Sequence, residues 1–206
     1  MTEQEAAAAG AEQPEESTEG VLSPEALLEM LSLQASEAAL FPGSLREEYF
    51  FAYDLLLDQA QVSRHVKALQ AVKIARLPHH CLVWPYYFRP LGTALPSLLR
   101  TNRDDDHVWG VLYDARQKDF RALEKALRTP NRYHRRGVGV QDRGGRRYTA
   151  FTYMLTPHDP VMSKPSPSYL EQLVVCAAER ALPAEWLDAL KSIPVSADMA
   201  GQPSPQ

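Results

Sequence analysis

DDHVWGVLYDARQKDFRALEKAL, residues 105–127, decides how this chain is read, because a strand and a helix stand back to back in it. From His107 to Asp114 valine, tryptophan, leucine and tyrosine follow one another with a single glycine between them, a β-branched and aromatic run of strand length. In the ARQKDFRALEKAL that follows, Phe120, Leu123 and Leu127 recur at helical spacing. The polar Asn102-Arg103-Asp104-Asp105-Asp106 ahead of the pair reads as the turn that announces the strand.

Working outward, YFFAY (residues 49–53), AVKIARL (71–77) and HCLVW (80–84) read as strands, with residues 55–69, LLLDQAQVSRHVKAL, expected as a helix between the first two. Downstream, residues 135–140 and 147–154 read as two strands joined by the turn Asp142-Arg143-Gly144-Gly145. The last unit opens on proline and serine, carries an apolar face of Tyr169, Leu170, Leu173, Val174 and Ala177, and starts a second short helix at Pro183. Only some of these strands are separated by crossover helices. The order therefore predicts an α+β domain, a curved mixed β-sheet or small barrel with packed helices, rather than a doubly wound sheet.

Composition sets the limits around this domain. Of 206 residues 45% are hydrophobic and 23% charged, as in a globular chain. The first twenty hold six glutamates and no lysine or arginine, so the net charge of −4 belongs to that segment, and the rest carries 22 basic against 20 acidic side chains. The expected division is a disordered acidic tail (1–22), a short amphipathic helix and linker (23–48), the α+β domain (49–194) and a second disordered tail (195–206). The linker helix starts at Ser23-Pro24-Glu25 and carries Leu27, Leu28, Met30, Leu31 and Leu33 on a face for the domain or a partner. No basic start with an apolar run, and no run of 18 apolar residues, is present, which predicts a soluble, cytoplasmic protein without a membrane span. Cys81 and Cys176 read as free, packed thiols.

Residues 49–53, 105–127 and 164–194 (KPSPSYLEQLVVCAAERALPAEWLDALKSIP), with ARLPHHCLVW and GTALPSLL between them, resemble in composition and order the γ-glutamylcyclotransferase family. Its members release a γ-glutamyl group as 5-oxoproline. The resemblance covers about residues 49–194 and implies that family's fold and a pocket between the first strand, the helix at Phe120 and the hairpin. It places Tyr53, Asp54, Leu55, Leu56, Leu127, Tyr133 and Tyr153 at that pocket, with a small γ-glutamyl or less polar molecule as ligand and no metal or cofactor.

The chain departs from the family pattern twice. The family follows the strand aromatic with Gly-Ser-Asn-Leu, whose amides hold the glutamyl group; here Tyr53 is followed by Asp54-Leu55-Leu56-Leu57. A second carboxylate at ~4 Å would meet roughly 4 kcal/mol of repulsion at an effective dielectric near 20, and leucine offers no polar contact. The family also carries its proton-transferring glutamate in a Leu-Asp-x-x-Glu-Gly pattern. Aligned on Leu123-Glu124, Leu127 stands at that glutamate and Arg128 at the glycine. Loss of a positioned acid-base group typically costs about 10²–10⁴-fold. Glu124, three residues earlier on the same helical face, is the one carboxylate near enough in sequence to substitute.

Other constellations are weaker. His79-His80-Cys81 lacks a second pair at zinc spacing, and Asp104-Asp105-Asp106-His107 lacks the spaced oxygens of a calcium loop. Arg128, Arg132, Arg135, Arg136, Arg143, Arg146 and Arg147, interleaved with Tyr133, His134 and Tyr148, form a basic hairpin. The small excess of positive charge argues against nucleic acid; a protein partner, or the chain's own acidic tail, fits this patch better. The sequence holds no nucleophile triad and no glycine-rich phosphate loop. The expected function is a γ-glutamylcyclotransferase-like protein that is non-catalytic or repurposed. Two alternatives stand beside it: a working cyclotransferase with Glu124 as base, and an interaction protein using the arginine-rich hairpin.

Overall fold

Strand pairing in this chain closes on itself. The computed structural model describes residues 48–66, 69–129, 131–155 and 162–197; the expected acidic tail, the leucine-rich helix and most of the C-terminal tail lie outside the described residues. Within these, β1 (Glu48–Ala52), β2 (Gln70–Pro78), β3 (His80–Phe88), β4 (Thr93–Arg100), β5 (His107–Ala115), β6 (Tyr133–Asp142) and β7 (Arg147–Leu155) alternate with α1 (Gln59–Ser63), α2 (Gln117–Leu127), α3 (Pro167–Glu179) and α4 (Ala184–Lys191). Five strands form a closed barrel in the order β1-β5-β2-β6-β7, and β3 and β4 make a separate two-stranded sheet. All barrel pairs are antiparallel except the closing one, where β1 runs parallel to β7 through Tyr49↔Ala150 and Phe50↔Phe151. The fold is α+β, with a mixed sheet curled into a small barrel.

Alternation along the strands divides the core into two. Phe51, Leu77, Val108, Leu112, Val138, Val140, Ala150 and Met154 pack together inside the barrel. Their neighbours Phe50, Val111, Tyr113 and Tyr153 point outward and are covered by Phe120 and Leu123 of α2 and Leu173 and Ala177 of α3. Because β5 is buried on both faces it reads as a nearly unbroken hydrophobic run. Gly110 in that run is fixed by close approach: a Cβ there would lie 2.2 Å from the Ala52 carbonyl oxygen and 2.7 Å from the Phe51 ring. α2 buries Phe120 and Leu123, begins where the Asp119 carboxylate accepts the Arg116 N–H (2.8 Å), and ends at Arg128 in the left-handed conformation (φ 56°).

Two elements differ from expectation. The helix expected over residues 55–69 is a 3-10 turn (Leu55–Leu57) followed by the five-residue α1, because Asp54 and Asp58 each cap a new start: Oδ1 of Asp54 accepts Leu56 N–H (2.9 Å) and Oδ1 of Asp58 accepts Ala60 N–H (2.8 Å). β4, which contains Pro96, was not expected as a strand; it lies at an edge paired only with β3, where a proline is tolerated. His79 stands in the turn between β2 and β3 (φ 57°). The β2–β6 seam is short, since those strands pair only at Ala75↔Asp142 and Arg76↔Gln141. Among the described residues no helix is long and apolar enough to cross a membrane.

Candidate functional site

At the end of β1 the chain leaves the barrel through Tyr53 and the turn Asp54–Leu57. Tyr53 is buried, and its hydroxyl donates to the Tyr153 carbonyl (2.8 Å), fastening the strand end to β7. The turn is held from outside as well: the Tyr113 hydroxyl donates to the carbonyls of Leu56 (3.1 Å) and Leu57 (2.9 Å), and Nε of Arg180 donates to the Leu57 carbonyl (2.7 Å). A turn with its carbonyls so engaged is a rigid floor for whatever lies above it.

Above it is a cavity lined by Phe50, Phe51, Ala52, Tyr53, Asp54, Leu56, Leu127, Tyr133, Thr152 and Tyr153. Six of the residues expected from sequence therefore meet at one place, while Leu55 and Glu124 are not among those lining it. Its volume is about 10 Å³. A single water needs about 10–15 Å³, so side chains fill the space.

Asp54 dominates the chemistry of this cavity. It is the one carboxylate in the lining. Burial holds its carboxyl above the ordinary range, outweighing the amide hydrogen bonds from Leu56 and its own N–H. The phenols of Tyr53, Tyr133 and Tyr169 are all pushed up, first by burial and then by the Asp54 charge. Tyr113 is pushed up to about 12, again by burial first. Tyr169 on α3, Tyr113 and Arg180 escape a sequence reading. Their only signal is an aromatic or a cation at an otherwise apolar strand or helix, and nothing local ties them to residues 54–57.

Glu124 has another neighbour. Its carboxylate lies 3.2 Å from Nη1 of Arg135, both side chains about 30% exposed. The Arg135 guanidinium also stacks over Phe120 (5.2 Å) and Phe151 (4.8 Å). Such an orientation couples the acid to β6 on the barrel's outer surface. The basic hairpin is likewise dispersed. Arg132 lies over Phe88 (4.4 Å), Arg143 donates to the Ala181 carbonyl, Arg146 lies over Tyr148 (5.3 Å), and Arg136 and Arg147 turn toward the β2–β6 seam. No group of three or more His, Cys, Asp or Glu that could hold a metal occurs among the described residues.

Residues 107–190 match the AIG2-like family. In three dimensions the chain is similar to a γ-glutamyl cyclotransferase (TM-score 0.68, 22% identity), over 77% of this chain and 94% of that one. The fold is γ-glutamylcyclotransferase-like. An uncharacterized protein from Homo sapiens superposes equally well (TM-score 0.67, 22% identity, 77% and 94% covered). A γ-glutamyl cyclotransferase from yeast that is specific to glutathione follows at TM-score 0.50 and 14% identity, over 70% of this chain and 94% of that one. Among curated proteins none matches the chain in sequence. In this γ-glutamylcyclotransferase-like frame, the turn Asp54–Leu57 and the end of α2 at Leu127 border the same cavity.

Proposed function

We propose that this γ-glutamylcyclotransferase-like domain, residues 49–194, does not release 5-oxoproline, and that its pocket is retained as a filled, structural or repurposed site. The observation that carries the reading is the small size of the cavity: about 10 Å³ remains where a glutamyl group would have to sit. Asp54 explains why. Its own carboxylate oxygen takes the Leu56 N–H, an amide of the kind the resemblance assigns to a substrate carboxylate. The turn thereby binds a carboxylate of its own and presents a like charge to any other.

Leu127 supports the same reading. The left-handed Arg128 that ends α2 occupies a conformation glycine adopts without strain. This accords with placing the Glu-Gly of the family pattern on Leu127-Arg128. Leucine transfers no proton, and the expected loss is about 10²–10⁴-fold. Glu124, the residue proposed for a working enzyme, is engaged by Arg135. A cytoplasmic setting accords with two free thiols, Cys81 and Cys176.

The test is 5-oxoproline release by the full chain from a panel of γ-glutamyl amines and dipeptides, with Glu124→Gln and Asp54→Asn alongside. No release by any of the three, with all folded, is expected. Release that disappears in Glu124→Gln would make Glu124 the base and the protein a working cyclotransferase. Release lost only in Asp54→Asn would equally overturn the reading and make the protein a working cyclotransferase in which Asp54 moves the proton.

A further inference from the structure

Away from the filled cavity, a concentration of positive charge lies at the seam where β2 and β6 part. Past Arg76↔Gln141 the two strands have no further pairing. The gap opens into two cavities of about 420 and 250 Å³, which share Pro78, His79 and Gly139 and so form one cleft. Arg76, Arg147, Arg100 and Arg136 line it together with His79 and His80. Asp104 is the one carboxylate in the lining, and it lies 3.5 Å from Nδ1 of His79. Gly139 leaves the floor bare, since a Cβ there would meet nothing within 4 Å. A strand edge without a neighbour strand, open at Gly139 and flanked by arginines, has the form that receives an extended peptide, with backbone groups for affinity and cations for selectivity.

We infer that this cleft binds an extended acidic peptide and that its occupant is the chain's own glutamate-rich segment, residues 1–20. Charge complementarity is the first argument. That segment holds six glutamates and no basic residue, and Glu12, Glu15, Glu16 and Glu19 fall within eight positions. Burial and then Arg100, Arg136 and His79 push His80 down to about 4, so the cleft carries a positive field that an anion would relieve.

Reach is the second argument. β1 starts beside Ala115 at the far end of β5, and the cleft lies beside His107 at its near end. From His107 to Ala115 along β5 the chain rises about 26 Å, eight steps of ~3.3 Å. Residues 21–47 lie between the acidic segment and β1, and a flexible chain of that many residues would have an r.m.s. length of about 26–31 Å. The short helix expected there leaves that span nearly unchanged. A tether whose length matches its span gives the highest effective concentration, in the millimolar range.

The test compares the full chain with a full-length Glu12→Gln, Glu15→Gln, Glu16→Gln, Glu19→Gln variant, altered only outside the domain, by the amide NMR shifts of Gly137 and Gly139. These shifts should differ between the two proteins at low salt and converge at high salt. A synthetic peptide of residues 1–20 added in trans should move the variant's cleft resonances to the wild-type positions. The wild type should need roughly tenfold more peptide, because its own segment competes. Arg76→Gln with Arg147→Gln should abolish the response. Coincident cleft shifts in the two proteins would overturn the inference. So would cleft resonances that inorganic phosphate moves and the peptide does not, which would make the cleft a small-anion site.

Discussion

Asp54 concentrates the logic of this protein in one side chain: it caps the 3-10 turn, occupies the Leu56 amide and borders the filled cavity. Its titration gives a direct check. Burial raises the native carboxyl above its ordinary 3.8, so between that value and the raised one the native state holds a proton the unfolded chain has lost. Stability contributed by this group is present at acid pH and falls as pH rises through the window. Asp54→Asn keeps the capping oxygen and removes the ionisation. Urea midpoints should therefore place the variant progressively further above the wild type as pH climbs above about 4; parallel curves would mean the carboxyl titrates as an exposed one. From sequence, the charge conflict at Asp54 was legible, because a carboxylate stands where the resemblance calls for glycine. That Asp54 satisfies a turn amide was not, since an Asx-type cap depends on backbone angles that Leu55-Leu56-Leu57 do not announce.

Among the elements, β5 and α2 were legible for a physical reason. Both faces of β5 are buried, which leaves an apolar run, and α2 buries one stripe, which leaves Phe120 and Leu123 in helical phase. β4 was hidden because seven of its eight residues are buried and Pro96 interrupts them, so neither alternation nor propensity marks it. The arginine run showed the opposite failure: contiguity in sequence read as one patch, yet a hairpin sends successive side chains to opposite faces. Gly110 offers the sharpest test at this scale. Gly110→Ala drives a methyl against the Ala52 backbone and the Phe51 ring, and since backbone cannot rotate away, a loss of about 3 kcal/mol is expected, at the upper end for overpacking. An unchanged urea midpoint would show that β1 and β5 separate easily.

At the scale of the whole molecule, two half-buried imidazoles bear on acid stability. His80 and His134 are both pushed down to about 4, chiefly by burial, with Arg136 adding to each. Their native values lie below the ordinary 6.5, so the unfolded chain takes up protons first as pH falls. Stability is full above that value and declines toward pH 4. The melting temperature should drop over this window, and His134→Gln should shrink the drop; a drop of unchanged size would assign it to other groups. The parallel β1–β7 pairing has a consequence in time. The Thr152 hydroxyl reaches the Phe51 carbonyl across 101 residues, so the barrel closes only when contacts of that separation form, which places folding in the slow, high-contact-order regime. At ~5–20 residues per second of synthesis, the nascent chain holds Tyr49, Phe50 and Phe51 without their final neighbour for roughly 5–20 s. Among the described strands the first to leave the ribosome is the last to be sealed, and for that interval its aromatic side chains lack their final cover.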